Sequence, residues 1–182
     1  SMVTTSEVEN NKDVRPDKLL GLQEAGGAMV LHFDDDHSEG FGNFAFRSFP
    51  EYLETRTAFG TWKDGAYWLE HMENPNQDTY YATCIAQTVQ EFLAEEGLHI
   101  SDLDRIFPPQ LSADFLDQLA VALDVPRERL IDTTSEEGDL FTASLPMSLQ
   151  RARQSGWVQK GDKALLIQVA AGIQVGCAMY YF

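Results

Sequence analysis

Ala164–Val169 is apolar at every position but Gln168, and that run constrains the fold more than any other stretch. A strand this apolar must be buried on both faces, so helices have to lie above and below it. The residues around it supply them. Asp104–Phe107 reads as a short strand, stopped by Pro108 and Pro109, which have no amide to give a ladder. Phe115, Leu116, Leu119 and Leu123 recur at helical spacing, and Val125 before Pro126 ends that helix. Arg129–Asp132 is a second strand candidate. Leu140–Ser155 is helical, with Gly156 as its stop. Lys160–Asp162 makes a tight turn into the apolar strand. Ala170–Gly172 then interrupts it, and Val175–Phe182 ends the sequence as a further strand. Strands alternating with helices imply an α/β fold with a parallel or mixed sheet under helical cover.

The upstream residues are less regular. Val3–Thr5 is a short β-type run, and Ala25–Phe33 reads as a strand whose glycines allow close backbone approach. Between Asp34 and Gly40, carboxylates beside His32 and His37 could take a divalent cation. The same composition describes a solvated turn, and that is the reading adopted, with no metal expected. Gly40–Gly42 lacks the third glycine of a dinucleotide fingerprint. Asn43–Phe49 is a returning strand with Phe44 and Phe46 on one face. Pro50–Asp78 reads as an irregular insertion rich in aromatics. Asp78 is a candidate N-cap for a helix whose apolar face carries Tyr81, Cys84, Ile85, Val89 and Phe92. Gly97 stands where a C-cap belongs, and Glu91 and Glu95 fall on a wet face.

At 182 residues, one domain spanning 1–182 with a real core is expected. The formal net charge of −16 makes a nucleic-acid partner unlikely by simple repulsion from phosphates. No apolar run approaches the ~20 residues of a membrane span, and no signal-peptide pattern opens the sequence. Cys84 and Cys177 are far apart and both lie in apolar patterns, which suits buried thiols in a reducing, cytoplasmic setting.

Five local patterns, in order, carry a family resemblance: Gly26–Ala28, Asp104–Gln110, Glu137–Asp139 followed by Thr142–Ser144, Gly161–Asp162, and Ala170–Gly172 leading into Gly176–Ala178. With them, the chain from about Val3 to Phe182 resembles the C-terminal half of the β-ketoacyl-acyl-carrier-protein synthase III family. The resemblance implies a thiolase-like half: a mixed five-stranded sheet covered by helices, with a polar loop at 9–18. It also places substrate-channel and lid segments in the 50–78 insertion. Phe59, Trp62 and Trp68 are therefore candidates to line an acyl or aryl pocket, the alternative being rings that pin a loop or meet a partner.

Enzymes of this family join an acyl-CoA primer to malonyl-acyl-carrier protein. A cysteine takes the acyl group, and a histidine and an asparagine stabilise the enolate. The cysteine belongs to the other half; Cys84 aligns with a helix and Cys177 with the last strand. Pro109 stands where the histidine is expected, and Asp139 where the asparagine is expected. Proline offers no side-chain donor, and an ionised aspartate only accepts. Each lost oxyanion donor costs roughly 10²–10³ in rate. Glu137 and Asp139 could form an acid–base pair, or simply a polar loop before a helix whose dipole favours acids. Ser112–Asp124 carries Asp114, Asp117 and Asp124 and no lysine or arginine, which opposes docking of an acidic carrier protein. Arg127 and Arg129 follow and offset part of that charge.

The leading expectation is a non-catalytic or degenerate half, an assembly or acyl-binding subunit in fatty acid, polyketide or related secondary metabolism. It would work as a homodimer or with a separate N-terminal-half chain, with acyl-CoA or an acyl carrier protein as possible ligands and no cofactor. One alternative is an acyltransferase subunit whose partner supplies the cysteine, with the amides of Ala170, Ala171 and Gly172 as oxyanion donors. A small-molecule-binding regulatory module is the other.

Overall fold

In chain order the elements are β1 (Met2–Val8), β2 (Gly40–Ser48), β3 (Arg56–Lys63), β4 (Ala66–Glu73), α1 (Gln77–Glu95), β5 (Arg105–Phe107), α2 (Ala113–Leu123), the single turn α3 (Thr134–Glu137), α4 (Ser144–Gln154), β6 (Lys163–Ala170) and β7 (Gln174–Tyr181). The structure, a computed structural model, describes residues 2–8, 25–33, 38–63, 66–137 and 140–182.

β6 is central, as its composition demands. It pairs antiparallel with β7 and parallel with β5, in a sheet ordered β2-β7-β6-β5. Its side chains alternate between two cores. Leu165 and Ile167 join the core built with α1 and α2, where Ile85, Phe92, Leu116 and Leu119 meet them. Ala164 and Leu166 face the other way, against Leu149 and Ala152 of α4. Burying a side chain such as Leu165 or Ile167 completely stabilises the fold by about 1.5–3 kcal/mol.

The helices behave as their patterns predict. α2 is capped by Ser112, whose Oγ accepts from the Phe115 amide over 3.0 Å. Its other end is closed by Asp124 in the left-handed region at φ 53°. α1 begins after Asn76, two residues before the expected Asp78 cap, and is left through Gly97 at φ 67°. Glu91 and Glu95 are not simply wet: Arg47 of β2 reaches both, at 3.0 and 2.9 Å, and clamps the strand to α1.

Three expectations need correction. The mixed sheet has four strands, not five. The fifth candidate, Arg129–Asp132, makes a single parallel bridge, Leu130 to Ile106, with the Ile131 amide donating to the Ile106 carbonyl. Pro126 and a helical turn at Arg127–Arg129 use up the residues a longer ladder would need. Ala25–Phe33 belongs to no ladder among the described residues; Val30 is 93% exposed. The 50–78 stretch is not irregular throughout. β3 and β4 form an antiparallel hairpin, and β1 pairs on the other edge of β4, giving a separate sheet ordered β1-β4-β3. The polar loop at 9–18 lies outside the described residues. None of the helices described is long and apolar enough to cross a membrane.

Candidate functional site

β5 and β6 run parallel, so the segments that leave their C-terminal ends emerge at the same end of the sheet. From β5 comes Pro108–Ser112, and from β6 the turn Ala171–Ile173. Sheets of this kind place their ligands at that end.

The first segment is fixed by a buried polar knot. Gln110 is 1% exposed. Its Nε2 donates to the Pro108 carbonyl at 3.0 Å and to the Ile131 carbonyl at 2.9 Å. Its Oε1 accepts from the Thr133 amide at 2.8 Å and from Thr133 Oγ1 at 3.3 Å. Thr133 Oγ1 in turn lies 3.3 Å from Ser148 Oγ on α4. One turn earlier, Ser144 Oγ accepts from the Leu140 amide at 3.0 Å. Ser144 and Ser148 are four residues apart, so both hydroxyls leave the same helical face. Ser144 thus has a structural partner.

Pro109 is buried, between Pro108 and Gln110 in the chain. It has neither an amide hydrogen nor a polar side chain to offer a substrate. Asp139 lies outside the described residues, and the side chain of Glu137 is likewise not described. Asp132 sits beside the knot. Burial pushes its carboxyl up, but the hydroxyl and amide of Thr134 and the Arg127 guanidinium outweigh this and hold it below the usual carboxylate range.

The second segment is strained. Gly172 has φ 74°, and Ile173 follows at φ 44°, an unfavourable setting for a β-branched side chain. Ile173 is nevertheless fully buried, and its carbonyl accepts from the Phe49 amide at 2.9 Å. A methyl group on Gly172 would lie 3.1 Å from Leu53 Cδ1. Ala170 and Ala171 are exposed. Phe141, before α4, is also at positive φ, at 54°.

The candidate pocket residues fall on the hairpin. Phe59 pairs with Glu70, Thr61 with Trp68, and Trp62 with Tyr67. Trp62 is 70% exposed. The hairpin had a sequence signal that the aromatic reading passed over: Asp64–Gly65, a strong two-residue hairpin pair, sits between two β-prone runs.

Neither cysteine is poised for attack. Burial pushes the Cys84 thiol up to about 11, with Glu51 adding to it, and burial pushes Cys177 up to about 12. No group of three or more His, Cys, Asp or Glu among the described residues is arranged to hold a metal ion.

Of the two arginines expected to offset the acids of α2, Arg127 pairs with one of them, Asp117, while Arg129 is held by backbone carbonyls. Arg127 is engaged by Asp117 and Asp132, and Arg129 donates to the carbonyls of Ile100 and Ser101.

Residues 93–182 match the family described as 3-oxoacyl-[acyl-carrier-protein] synthase III, C terminal. The chain is 30% identical over 158 residues to a β-ketoacyl-[acyl-carrier-protein] synthase III of Coxiella burnetii, covering 86% of this chain and 49% of that protein. It is 29% identical over 164 residues to the same-named protein of Xanthomonas campestris. The chain therefore spans about half the length of the curated relatives it matches. The crystal structure of 3-oxoacyl-(acyl carrier protein) synthase III from Pseudomonas aeruginosa superposes with a TM-score of 0.71 at 22% identity, over 82% of this chain and 47% of that one. The corresponding Thermus thermophilus structure gives 0.66 at 21% identity.

Proposed function

We propose, for a chain that is a C-terminal-type half of the thiolase fold related to β-ketoacyl-[acyl-carrier-protein] synthase III, a binding or assembly role in place of carbon–carbon bond formation. The observation that carries this reading is Pro109, buried beside Gln110, whose side chain knots the segment. The segment after β5 is held by the bonds of Gln110, while the residue that stands where the family's histidine is expected has no donor. Asp139 in place of the asparagine points the same way, because a second negative charge opposes a developing enolate.

A second thiolase-type half covers the apolar surface of this one. Val30 is 93% exposed, Leu31 70%, Phe33 82% and Phe46 74%. Large apolar side chains left exposed on segment 25–33 and on β2 support an interface there. The covering half is either a second copy or an N-terminal-type half. Light scattering on the purified chain, with and without an N-terminal-type half from the same source, tests this. A two-fold or one-to-one complex is expected, and a monomer in both samples overturns it. Condensation of acyl-CoA with malonyl-acyl-carrier protein is expected to be absent in either sample; ketoacyl product would remove the degenerate reading.

Acyl transfer without condensation is the second reading, and the turn Ala171–Ile173 favours it. Successive left-handed residues hold this turn in one geometry at a cost in backbone strain, as turns near reacting groups often do. A partner would supply the cysteine, and the amides of Ala170, Ala171 and Gly172 would face the oxyanion. Acyl-CoA hydrolysis by the one-to-one complex is the test; no turnover removes this reading and leaves the first intact.

Carrier-protein docking through α2 is not part of either reading. Asp114, Asp117 and Asp124 lie on that helix, and the nearest arginines are already engaged.

A further inference from the structure

A cleft of about 450 Å³ opens along the β5 edge of the four-stranded sheet, between Arg105, the segment 127–132 and Trp157. That volume lies within the ~300–1,000 Å³ range of small-molecule sites. Its floor is apolar and firm, since Leu130 and Ile131 are each 4% exposed. One wall is the half-buried Trp157, whose amide donates to the Ala152 carbonyl at 2.9 Å and fixes the residue after α4.

The charged groups of the cleft differ in how far they are satisfied. Arg127 is paired, with Asp117 and Asp132. Arg105 is not. Its Nε donates to the Trp157 carbonyl at 2.9 Å and its Nη1 to the Asp104 carbonyl at 3.1 Å. Two carbonyls orient the guanidinium without neutralising it. No carboxylate among the described residues pairs with it, although the chain carries a net charge of −16. Glu128 lines the same cleft, is exposed, and has no cation paired with it among the described residues.

Each unsatisfied group selects one part of a ligand. A guanidinium with a free edge takes a carboxylate. A doubly charged anion such as phosphate is opposed by Asp132 and Glu128 in the same cleft. Glu128 calls for a cation, and the indole above an apolar floor suits a flat ring. We propose that this cleft binds a free aromatic amino acid as its zwitterion, with the carboxylate on Arg105, the ammonium on Glu128 and the ring against Trp157. A zwitterion has no net charge, so the acidity of the chain does not repel it. The site stands apart from the two readings above, because neither Pro109 nor the turn Ala171–Ile173 lines it. Arg105 is half-buried and Glu128 exposed, so solvent screens both ion pairs and the ring supplies most of the affinity.

Calorimetric titration of the intact chain near neutral pH tests the site with four probes. They are phenylalanine, hydrocinnamate (no ammonium), phenethylamine (no carboxylate) and alanine (no ring). Saturable binding of one phenylalanine per chain is expected. Hydrocinnamate and phenethylamine should each bind about fivefold more weakly, the scale of one screened ion pair. Alanine should bind at least about tenfold more weakly, from the lost burial of the ring. Arg105→Met should erase the preference for phenylalanine over phenethylamine and keep that over hydrocinnamate. Glu128→Gln should do the converse. Because Glu128 is exposed and unpaired, Glu128→Gln leaves the fold intact and decides the matter even where Arg105→Met does not fold. The absence of saturable binding, alanine binding as tightly as phenylalanine, or an unchanged preference over hydrocinnamate in Glu128→Gln would each overturn the proposal.

Discussion

The Thr133 amide donates to the side-chain oxygen of Gln110 over 2.8 Å, joining two segments that lie far apart along the chain. The side-chain Nε2 of Gln110 donates to the carbonyls of Pro108 and Ile131. Gln110 therefore uses both ends of its side chain, with no water needed to complete it.

Gln110→Ala should cost about 2–4 kcal/mol, because it strands buried carbonyls and an amide rather than removing one exchangeable bond. Gln110→Glu should be no better, since a carboxylate would face two carbonyl acceptors without a hydrogen to give them. Urea unfolding of the three proteins measures this. A loss below about 1 kcal/mol for Gln110→Ala would mean that the knot is not structural.

The thiols of Cys84 and Cys177 should be silent toward an aromatic disulfide reagent at pH 8 in the folded chain, and both should react in denaturant. Their folded-state values, about 11 and about 12, lie above those of an unfolded thiol. The unfolded chain thus releases these protons first. The contribution is fully present below about pH 8.5 and is lost as pH rises toward the folded values. Cys177→Ala should flatten that alkaline loss.

Asp132 gives the opposite pH dependence. Its carboxyl is held low in the folded state despite burial. Its contribution is therefore present above the unfolded value near 4 and fades as pH falls through the lower folded value. Asp132→Asn should cost about 1 kcal/mol at neutral pH, a modest amount because the pair is solvent-screened. It should also reduce the slope of stability against pH on the acid side. An unchanged slope would assign the acid sensitivity elsewhere.

Asp124→Gly should stabilise the chain by about 0.5–1 kcal/mol, because the α2 C-cap is left-handed and glycine takes that conformation freely. Calorimetry should find the melting point raised by about 2–4 °C. Asp124→Val should lower it.

The sheet and its helices were legible because burial on two faces leaves a pattern. Leu165 and Ile167 go to one core, Ala164 and Leu166 to the other, and only a central strand permits both. Gly97 and Gly156 marked helix ends, and both have positive φ. The fifth strand was less legible: Arg129–Asp132 has strand composition, yet one bridge is all that Pro126 and the helical turn leave room for. The hairpin was missed because its aromatic residues drew attention from Asp64–Gly65 between them. At the site, the lack of a donor at Pro109 follows from its residue type alone. The partners of Gln110 could not be read this way, because Ile131 and Thr133 reach it through tertiary packing that leaves no periodic trace.

The knot around Gln110 has an evolutionary consequence. The bonds that shape the segment after β5 run from Gln110 to its surroundings and bypass its neighbour Pro109. Position 109 can therefore be exchanged without dismantling the segment that displays it. A descendant lineage could gain or shed reactivity there by one codon change while inheriting the architecture whole.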